Sequence, residues 1–533
     1  MKKIISLFLT FLLTLSFTAC TNDNSYDYSV SFDVDGVPGT LDPQLVTTAS
    51  ELVVISGIFE GLLRLEKDGT VVNGAAESCK ISSDEKTYTF TLREGLLWSD
   101  EEPLTARDFA FGITRALLPE TRSPYASLLF SIKNAKEVYN GTLPASELGI
   151  KATDDHTLTI TLDYRDPDFT HTLTQPLCMP CRQDFFESTN GKYGMNTDLI
   201  ICNGPFFVRR WSQTTSSLSM RLTRSDRYYD RQNIKPAAVL LYFNNQPQDR
   251  VTDLVEDQRD SGYINHELIA DAKKNGLNID SALHANWAVY FRPDSEMNRS
   301  DTMRAIFAYC IDKEQFKPFL DENYTLTNRL LPTSYSVGKS TYGDYTKGTS
   351  FTLRHEKPQS LTQSYLDELN ALKLKDEYVF LYCDETPALS NIARAIAQCW
   401  QKSLGVSVTL KSTSEANLND AIKQADYDAA FVPMGISCQQ AKPLLCAFES
   451  ESPDNIYRFS NANYDTLMTQ AKDQSESALA AQLLSAEQFL VENAYLFPVV
   501  SESRSIVFDN DISNIRIVSI RGNIDFRQAV KEK

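Results

Sequence analysis

Residues 388–410 have the pattern of a helix, a glycine turn and a strand. In 388–402 the apolar residues recur at the spacing of one helical stripe, which comprises Ile392, Ala395, Ile396, Cys399 and Trp400. Gly405 follows as the turn residue, and 406–410 has the composition of a short strand. A helix that returns through a glycine turn into a strand is an α/β unit, so we predict the α/β class.

Helix and strand signals alternate along the rest of the chain as well. Residues 88–92 and 157–162 alternate between apolar and polar positions, as half-buried strands do. Thr105 predicts a helix N-cap with Asp108 three residues later, and Pro119 ends that helix. The last signals are a largely helical stretch and a buried strand, at 462–493 and 495–500.

The chain shows no internal repeat and no Pro- or Ser-rich linker. Its 533 residues suffice for about three to four domains at typical domain size. Because no linker separates segments of different composition, we expect these domains to be interwoven along the sequence.

The N-terminus has the features of an export signal. Two lysines at positions 2 and 3 precede an apolar run at 4–15 that is too short to cross a bilayer. The ending before Cys20 resembles a bacterial lipobox, so we predict a signal peptide at 1–19, lipidation of Cys20 and a polar tether at 20–29. The alternative is an ordinary secretory signal, cleaved after Ala19, with Cys20 unmodified.

Charge excludes one large class of partners. The 52 Lys and Arg residues are outnumbered by 70 Asp and Glu residues, which gives a formal net charge of −18. Such a chain repels phosphate backbones, and no local basic patch offsets this. We therefore expect no nucleic-acid partner, and contact with the membrane through the lipid anchor alone.

Cysteine and histidine do not form a metal-binding pattern. Cys178 and Cys181 are the one CxxC pair among ten cysteines, and a zinc site would need a second pair. The five histidines do not cluster. We predict buried free thiols, with one local disulfide as an open alternative, and neither a metal nor a cofactor.

Signatures of catalytic sites are missing. Residues 435–438 come nearest to a GxSxG nucleophile elbow but lack its final glycine, and neither a phosphate-binding GxxxxGK[ST] nor an HExxH motif occurs. We predict no catalytic residues. Among the 24 tyrosines and 28 phenylalanines, most belong to the core and a minority to an apolar ligand cavity.

An ordered set of short segments resembles the family 5 extracellular solute-binding proteins, the receptors of bacterial peptide and nickel ABC importers. In the first half these segments are 38–43, 58–63, 92–100, 103–109, 123–127 and 154–158. In the second half they are 203–206, 228–230, 304–307, 311–313, 404–406 and 464–467. Each motif is weak, but their order from about residue 30 to residue 500 is specific. Two of them, 123–127 and 154–158, are similar to the oligopeptide-binding branch.

The resemblance implies a two-lobed type II periplasmic-binding-protein-like fold with an extra mixed α/β domain. One lobe would comprise 30–70, 200–300 and 505–533, and the other 301–504. The extra domain would comprise 71–199. In such proteins the lobes close over the ligand about a hinge, and the closed form is what a permease recognises.

The resemblance also implies a ligand site, with one departure from the family. The peptide-binding branch holds the ligand ammonium with an aspartate; here Gln439 occupies that position, or Ser437 in an ungapped alignment. Thr47 likewise replaces an acid of the first strand segment. A buried ammonium without a counter-charge is costly, so a free peptide amine is in doubt unless another acid approaches. The predicted ligand-binding residues are Thr47, Ala49, Tyr125, Trp287, Gly435, Ser437 and Gln439, with a packed core role as the alternative for Tyr125.

We therefore expect a monomeric, lipid-anchored receptor outside the cytoplasmic membrane that delivers an oligopeptide-like ligand to an ABC permease. A first alternative keeps the fold and changes the ligand to a non-peptide, an amino-terminally blocked peptide or a signalling peptide. A second is a surface lipoprotein with an adhesin or chaperone role. A third, a hydrolase, would have to cleave a peptide that a receptor releases intact.

Overall fold

The computed structural model describes residues 28–214, 217–244, 247–353, 374–435, 438–519 and 522–532. The predicted signal peptide, Cys20 and most of the tether lie outside these ranges, as does Ser437. Within them, no helix combines the length and the apolar content needed to cross a bilayer.

Helices and strands alternate throughout the described chain. The helices are α1 (Ala49–Ile58), α2 (Ala106–Leu117), α3 (Ala135–Tyr139), α4 (Phe169–Thr172), α5 (Gln183–Ser188), α6 (Arg250–Val255), α7 (Ile269–Lys274), α8 (Asp301–Tyr309), α9 (Tyr342–Thr346), α10 (Pro387–Leu404), α11 (Glu415–Gln424), α12 (Ala441–Cys446), α13 (Ala462–Gln470) and α14 (Glu476–Glu492).

The strands of the first half are β1 (Ser29–Asp35), β2 (Leu63–Leu65), β3 (Val71–Asn73), β4 (Ala76–Ile81), β5 (Thr87–Leu92), β6 (Ile150–Ala152), β7 (Thr157–Thr161), β8 (Phe206–Thr214), β9 (Ser217–Arg224), β10 (Ala238–Asn244) and β11 (Ser261–Ile264). Those of the second half are β12 (Asn278–Phe291), β13 (Tyr324–Leu326), β14 (Ser336–Val337), β15 (Ser340–Thr341), β16 (Glu377–Cys383), β17 (Ser407–Thr413), β18 (Ala429–Met434), β19 (Leu496–Phe508), β20 (Ile512–Ser513), β21 (Arg516–Ser519), β22 (Asn523–Asp525) and β23 (Val530–Lys531).

One large mixed sheet runs through the molecule, in the order β17-β16-β18-β12-β19-β11-β1-β10-β9-β8, with β13 beside β19. The long strands β12 and β19 are antiparallel partners from Asn278 opposite Phe508 to Tyr290 opposite Leu496. At one end this ribbon borders β11, and at the other end β12 borders β18. Two strands therefore connect the two halves of the sheet.

The buried apolar residues divide in the same way. One large core combines residues between 30 and 263 with residues between 506 and 529, and a second combines residues between 287 and 500. A separate four-stranded sheet, β4-β5-β7-β6, belongs to the first core. The predicted α/β class is confirmed, whereas the domain boundaries stay predictions.

Local signals in the sequence correspond to the observed elements. α10 begins after the N-cap Thr386 and ends at Gly405, whose φ of 69° is left-handed, as the glycine turn predicts. At the start of α2 the Asp108 carboxylate accepts the Thr105 backbone N–H at 2.7 Å. The stretch at 462–493 is two helices, α13 and α14, rather than one.

Gly112 of α2 lies against the chain segment 179–181. A Cβ at this position would lie 2.3 Å from the Met179 carbonyl oxygen and 3.1 Å from the Cys181 nitrogen. In an exposed helix, Gly→Ala stabilises by up to about 1 kcal/mol. Here we expect Gly112→Ala to destabilise the protein by about 1–3 kcal/mol, because backbone atoms must move to admit the methyl group. Urea unfolding measures this, and a stabilised variant would contradict the close packing.

Candidate functional site

A cavity that is partly open to solvent lies where α1 and its neighbours in the first core meet residues 438–439, which lie in the chain between β18 and α12. It is lined by α1 and the residues after it, by the segment 174–179, by residues 438–439 and by the hairpin of β21 and β22. The lining residues are Leu52, Ile55, Ser56, Phe59, Glu60, Gly61, Leu63, Arg64, Leu65, Thr174, Gln175, Pro176, Met179, Pro205, Cys438, Gln439, Val518, Asn523, Asp525 and Arg527.

Part of this lining is apolar. α1 contributes Leu52 and Ile55, Phe59 follows the helix, and Met179 and Val518 come from the neighbouring segments. α1 begins with a capping box, in which the Glu51 carboxylate accepts the Thr48 backbone N–H at 3.0 Å. This cap fixes the start of the helix, and so the direction in which its apolar side chains point. Such a surface suits an apolar ligand body.

All ionisable side chains of the described lining except the Cys438 thiol lie on one wall: Glu60, Arg64, Asp525 and Arg527. Glu60 is 5% exposed and accepts hydrogen bonds from the hydroxyls of Tyr228 and Tyr229, both at 3.1 Å. Arg64 Nη1 lies 3.6 Å from Glu60 Oε1. This carboxylate is thus surrounded by donors.

Asp525 and Arg527 form a second ion pair on the same wall. Arg527 donates from Nε to Asp525 Oδ1 at 2.9 Å and from Nη2 to Oδ2 at 2.8 Å, and its backbone N–H adds a bond to Oδ1 at 2.9 Å. Although burial alone would raise the pKa of Asp525, the Arg527 guanidinium holds it below its usual range. The pair is therefore ionised at neutral pH.

The rest of the described lining carries no carboxylate. It presents Cys438 and Gln439 beside Thr174 and Gln175. Gln439 has a left-handed backbone with φ of 51°, and its carbonyl accepts the Ser336 N–H at 2.8 Å. Gln439, one of the two residues predicted at the position of the family's aspartate, therefore lines the cavity, and the described lining beside it supplies no charge for a ligand ammonium.

The other predicted ligand residues lie elsewhere. Thr47 is exposed and donates its N–H to Glu51 Oε2 at 2.9 Å, Ala49 is the first residue of α1, and Gly435 directly follows β18; all three are outside the cavity lining. Tyr125 is half-buried before the turn at 126–129. Their roles stay predictions.

Trp287 is part of the second core. It is 1% exposed, stacks at a tilt against Phe431 with ring centroids 5.3 Å apart, and donates its indole N–H to Glu502 Oε2 at 2.7 Å. Arg504 Nε also bonds Glu502, at 3.3 Å. Burial alone would raise the pKa of Glu502, but Arg504 lowers it to about 2. Trp287 therefore packs within the second core beside the β12/β19 ribbon, and it is not part of the cavity lining.

We expect Trp287→Phe to reduce stability by about 1–3 kcal/mol, because a buried carboxylate loses a donor. Ligand affinity should change by less than about twofold, since the side chain is not part of the cavity lining. Urea unfolding and titration calorimetry on one preparation separate the two effects. A fall in affinity at unchanged stability would instead assign Trp287 to the ligand site.

Close to the cavity, the segment 166–172 contacts residues of the second core. Asp168 accepts the Gly338 N–H, and Gln440 Nε2 donates to the Asp168 carbonyl and to Thr172 Oγ1, both at 3.3 Å. Lys442 Nζ adds an ion pair to Asp166 at 3.1 Å. We refer to these bonds together as the 168–440 contact. It joins residues of the predicted extra domain to residues of the predicted second lobe.

Among the described residues, no group of three His, Cys, Asp or Glu side chains could hold a metal ion. The nine cysteines in this part of the chain are all free thiols. In the CxxC segment, Cys178 is buried and its Sγ donates to the Thr172 carbonyl at 3.3 Å. The open alternative of a local disulfide is therefore not realised here.

Gln439, predicted from the sequence as a ligand-binding residue, lines the cavity and its role stays a prediction, whereas the charged wall was not predicted. Glu60 lies within the motif 58–63 that carried the family resemblance, and Arg64 follows it directly. Asp525 and Arg527 had no such signal, since an Asp-x-Arg spacing near a C-terminus is common on any surface. The tertiary structure alone brings these four residues together.

Comparison with known proteins gives consistent matches. Residues 70–455 match the family described as bacterial extracellular solute-binding proteins, family 5 Middle. The oligopeptide-binding protein OppA of Bacillus subtilis is 25% identical over 99% of this chain and 99% of its own length. The probable deoxycholate-binding periplasmic protein YgiS of Escherichia coli is 27% identical over 87% of this chain and 86% of its own.

Solved structures give the same fold. Listeria monocytogenes OppA bound to peptide superimposes with a TM-score of 0.79 at 22% identity, and the match covers 96% of this chain and 100% of that one. The predicted two-lobed α/β fold is thereby confirmed.

Proposed function

Because the chain belongs to the bacterial extracellular solute-binding proteins of family 5, we propose that it binds an oligopeptide-like ligand in the cavity and delivers it to an ABC permease. Its homologues are substrate-binding receptors of ABC transporters, and the chain is such a receptor and not an enzyme. The observation that supports the ligand site is a cavity formed where elements of the first core meet residues 438–439, which lie between β18 and α12 on the far side of the two long connecting strands. A change in the angle between the cores opens or encloses such a space.

The predicted domain limits fit this proposal. One lobe comprises 30–70, 200–300 and 505–533, the other 301–504, and 71–199 forms the extra domain. The division of the buried apolar residues into two large cores supports it. In this arrangement α1 and the C-terminal hairpin contribute one wall, and residues 438–439 the other.

The membrane location of the receptor is also part of the proposal. Family members act outside the cytoplasm, and the sequence before Cys20 is typical of a lipoprotein signal. We expect the wild-type protein in the membrane fraction and Cys20→Ser in the soluble exported fraction. Equal release of both would favour the ordinary secretory signal.

A second candidate keeps the receptor and changes the ligand. The uncharged wall at Gln439 favours it, because a peptide ammonium would be buried there without a counter-charge. The relative named as probably binding deoxycholate supports the same candidate. Both candidates place the ligand in the same cavity.

Native mass spectrometry of residues 21–533, before and after mild denaturation, tests the proposal. A co-purified peptide with a free amino terminus supports the oligopeptide receptor, and a blocked or non-peptide ligand supports the second candidate. A ligand at 100 times its Kd should stabilise the protein by about 2.7 kcal/mol. Both candidate functions would be contradicted if the protein purifies without a ligand and if neither pooled peptides nor amphiphilic acids stabilise it. That result would favour an adhesin or chaperone role.

A further inference from the structure

We propose that the cavity holds its ligand through a carboxylate, bound by Arg64 and Arg527, while the ligand's apolar body lies against α1. This inference rests on the proposed receptor function and specifies the chemistry of its ligand. It requires no ammonium group on the ligand.

Both arginines have one side of the guanidinium group unused. Arg527 donates from Nε and Nη2 to Asp525. Arg64 donates from Nε to Glu66 and from Nη1 to the Tyr229 hydroxyl, and the same Nη1 lies within ion-pair distance of Glu60. Within the described chain, Arg527 Nη1 and Arg64 Nη2 make no hydrogen bond. The side chain of Arg527 is 13% exposed and that of Arg64 is 27% exposed, and both line the cavity. Their free N–H groups are therefore accessible to a ligand.

The two guanidinium groups are also close enough to repel each other. Burial and the charge of Arg527 both disfavour the charged form of Arg64, and only the negative groups around it, led by Glu60, keep its pKa above the usual value. An anion between two such groups relieves this repulsion and accepts charge-assisted hydrogen bonds.

The surroundings of this wall carry a positive excess. The groups connected by ion pairs or ring contacts are the carboxylates Glu60, Glu66 and Asp525 and the guanidinium groups Arg64, Arg93, Arg516 and Arg527. Four positive minus three negative charges leave +1, in a chain whose net charge is −18. Arg93 lies over the Tyr229 ring at 4.8 Å and has no carboxylate within ion-pair distance among the described residues. One bound carboxylate would neutralise the excess.

A ligand ammonium finds no comparable site. Glu60 already accepts from two tyrosine hydroxyls beside Arg64, and Asp525 accepts three bonds from Arg527. Gln439, elsewhere in the lining, is neutral. The ligand class is therefore a carboxylate with an apolar body. Amino-terminally blocked hydrophobic peptides and amphiphilic acids such as a bile acid share this chemistry.

Titration calorimetry on the full mature chain tests the inference with matched probes. The peptide arm compares N-acetyl-Leu-Phe-Leu as the free acid and as the amide, and the second arm compares deoxycholate with its methyl ester. In the arm that matches the natural source, we expect the acid to bind about 10- to 100-fold more tightly than its neutral partner. A preference for the acid over its neutral partner in either arm supports the shared chemistry, and the arm with the tighter binding identifies the source.

Variants then assign the effect to the two arginines. Arg64→Gln and the paired change Asp525→Asn with Arg527→Gln should each weaken acid binding about tenfold or more and leave neutral probes within about twofold. The paired change avoids a buried, unpaired Asp525. Arg516→Gln is the matched control, because Arg516 belongs to the same ion-pair network through Glu66 but is outside the cavity lining.

The possible results distinguish a failure of the proposed carboxylate site from a failure of the proposed receptor function. Equal affinity for acid and neutral probes, an equal loss in Arg516→Gln, or binding that needs a free amine would overturn the carboxylate site and leave the receptor intact. Failure of every probe and of a pooled peptide mixture to bind would overturn both. Arg64→Lys, which keeps the charge, should recover part of the acid binding.

Discussion

Replacing Glu487 with alanine is expected to lower the free energy of unfolding by about 3–5 kcal/mol, because it leaves a buried cation and its neighbours without their acceptor. Glu487 is fully buried and accepts from Arg329 Nη2 at 2.6 Å, from the N–H groups of Leu330 and Leu331 at 2.7 and 3.1 Å, and from the Tyr342 hydroxyl at 2.8 Å. Urea unfolding measures the loss.

The change should also affect the ligand site. Glu487 attaches the chain at 329–342 to α14, and Gly338 within that stretch donates to Asp168 in the 168–440 contact. Weaker ligand binding should therefore accompany the loss of stability.

Glu492→Ala provides the control on the same helix. Within the described part of the chain, the Glu492 carboxylate accepts a hydrogen bond only from the exposed Gln488 amide, at 2.7 Å, and its loss should cost less than about 0.5 kcal/mol. Glu487→Gln keeps the shape and should fall between the two, which preserves the test if the alanine variant does not fold. Equal stability of Glu487→Ala and Glu492→Ala would contradict the structural role of this carboxylate.

Ligand affinity is expected to rise about 10- to 30-fold as the pH falls from 7.5 to 5.5, because formation of the 168–440 contact takes up a proton. Burial, reinforced by the charge of Asp166, raises the pKa of Asp168 from 3.8 to about 7, while the Gly338 N–H and Lys442 act in the opposite direction. Glu476 adds to the increase. When the two sides of the contact separate, Asp168 returns to water and to its ordinary pKa.

The sign follows from these two values. Below a pH of about 4, Asp168 is protonated both when the 168–440 contact is formed and when it is broken. Above a pH of about 7, it is ionised in both states. Between these pH values Asp168 is protonated when the contact is formed and ionised when it is broken. The contact therefore weakens as the pH rises through this window. His171 lies on the same segment, and burial lowers its pKa, so its titration has the opposite sign.

Asp168→Asn isolates the effect of this one carboxyl group. The variant should bind at pH 7.5 about as tightly as the wild type does near pH 5.5, and its affinity should lose the rise on acidification. A slight fall at low pH, due to His171, would remain. Calorimetric titrations at five pH values measure both profiles, and a wild-type affinity that is flat or falls on acidification would contradict the prediction.

Local patterns in the sequence predicted the elements well. The Thr105 and Asp108 cap, the apolar stripe of α10 and the turn at Gly405 are each determined within a few residues, because caps, stripes and glycine turns depend on neighbours along the chain. The order of short motifs added the family and hence the two-lobed fold. The departure from the family's aspartate, at Gln439 or Ser437, is also a prediction that needs only a comparison of residue types.

The charged wall depends on contacts between residues that are far apart in the sequence, and the sequence does not show these contacts. Arg64 and Arg527 come from opposite ends of the chain, and an arginine at either position is by itself compatible with an exposed surface. Trp287 was likewise predicted at the ligand. In the structure it is buried against Glu502 and is not part of the cavity lining, and its ligand role stays a prediction. Burial and ion pairing arise only when distant segments pack. The sequence by itself therefore determined the α/β class and the family, and the loss of the family's aspartate stays a prediction. The tertiary structure decided which charges face the cavity.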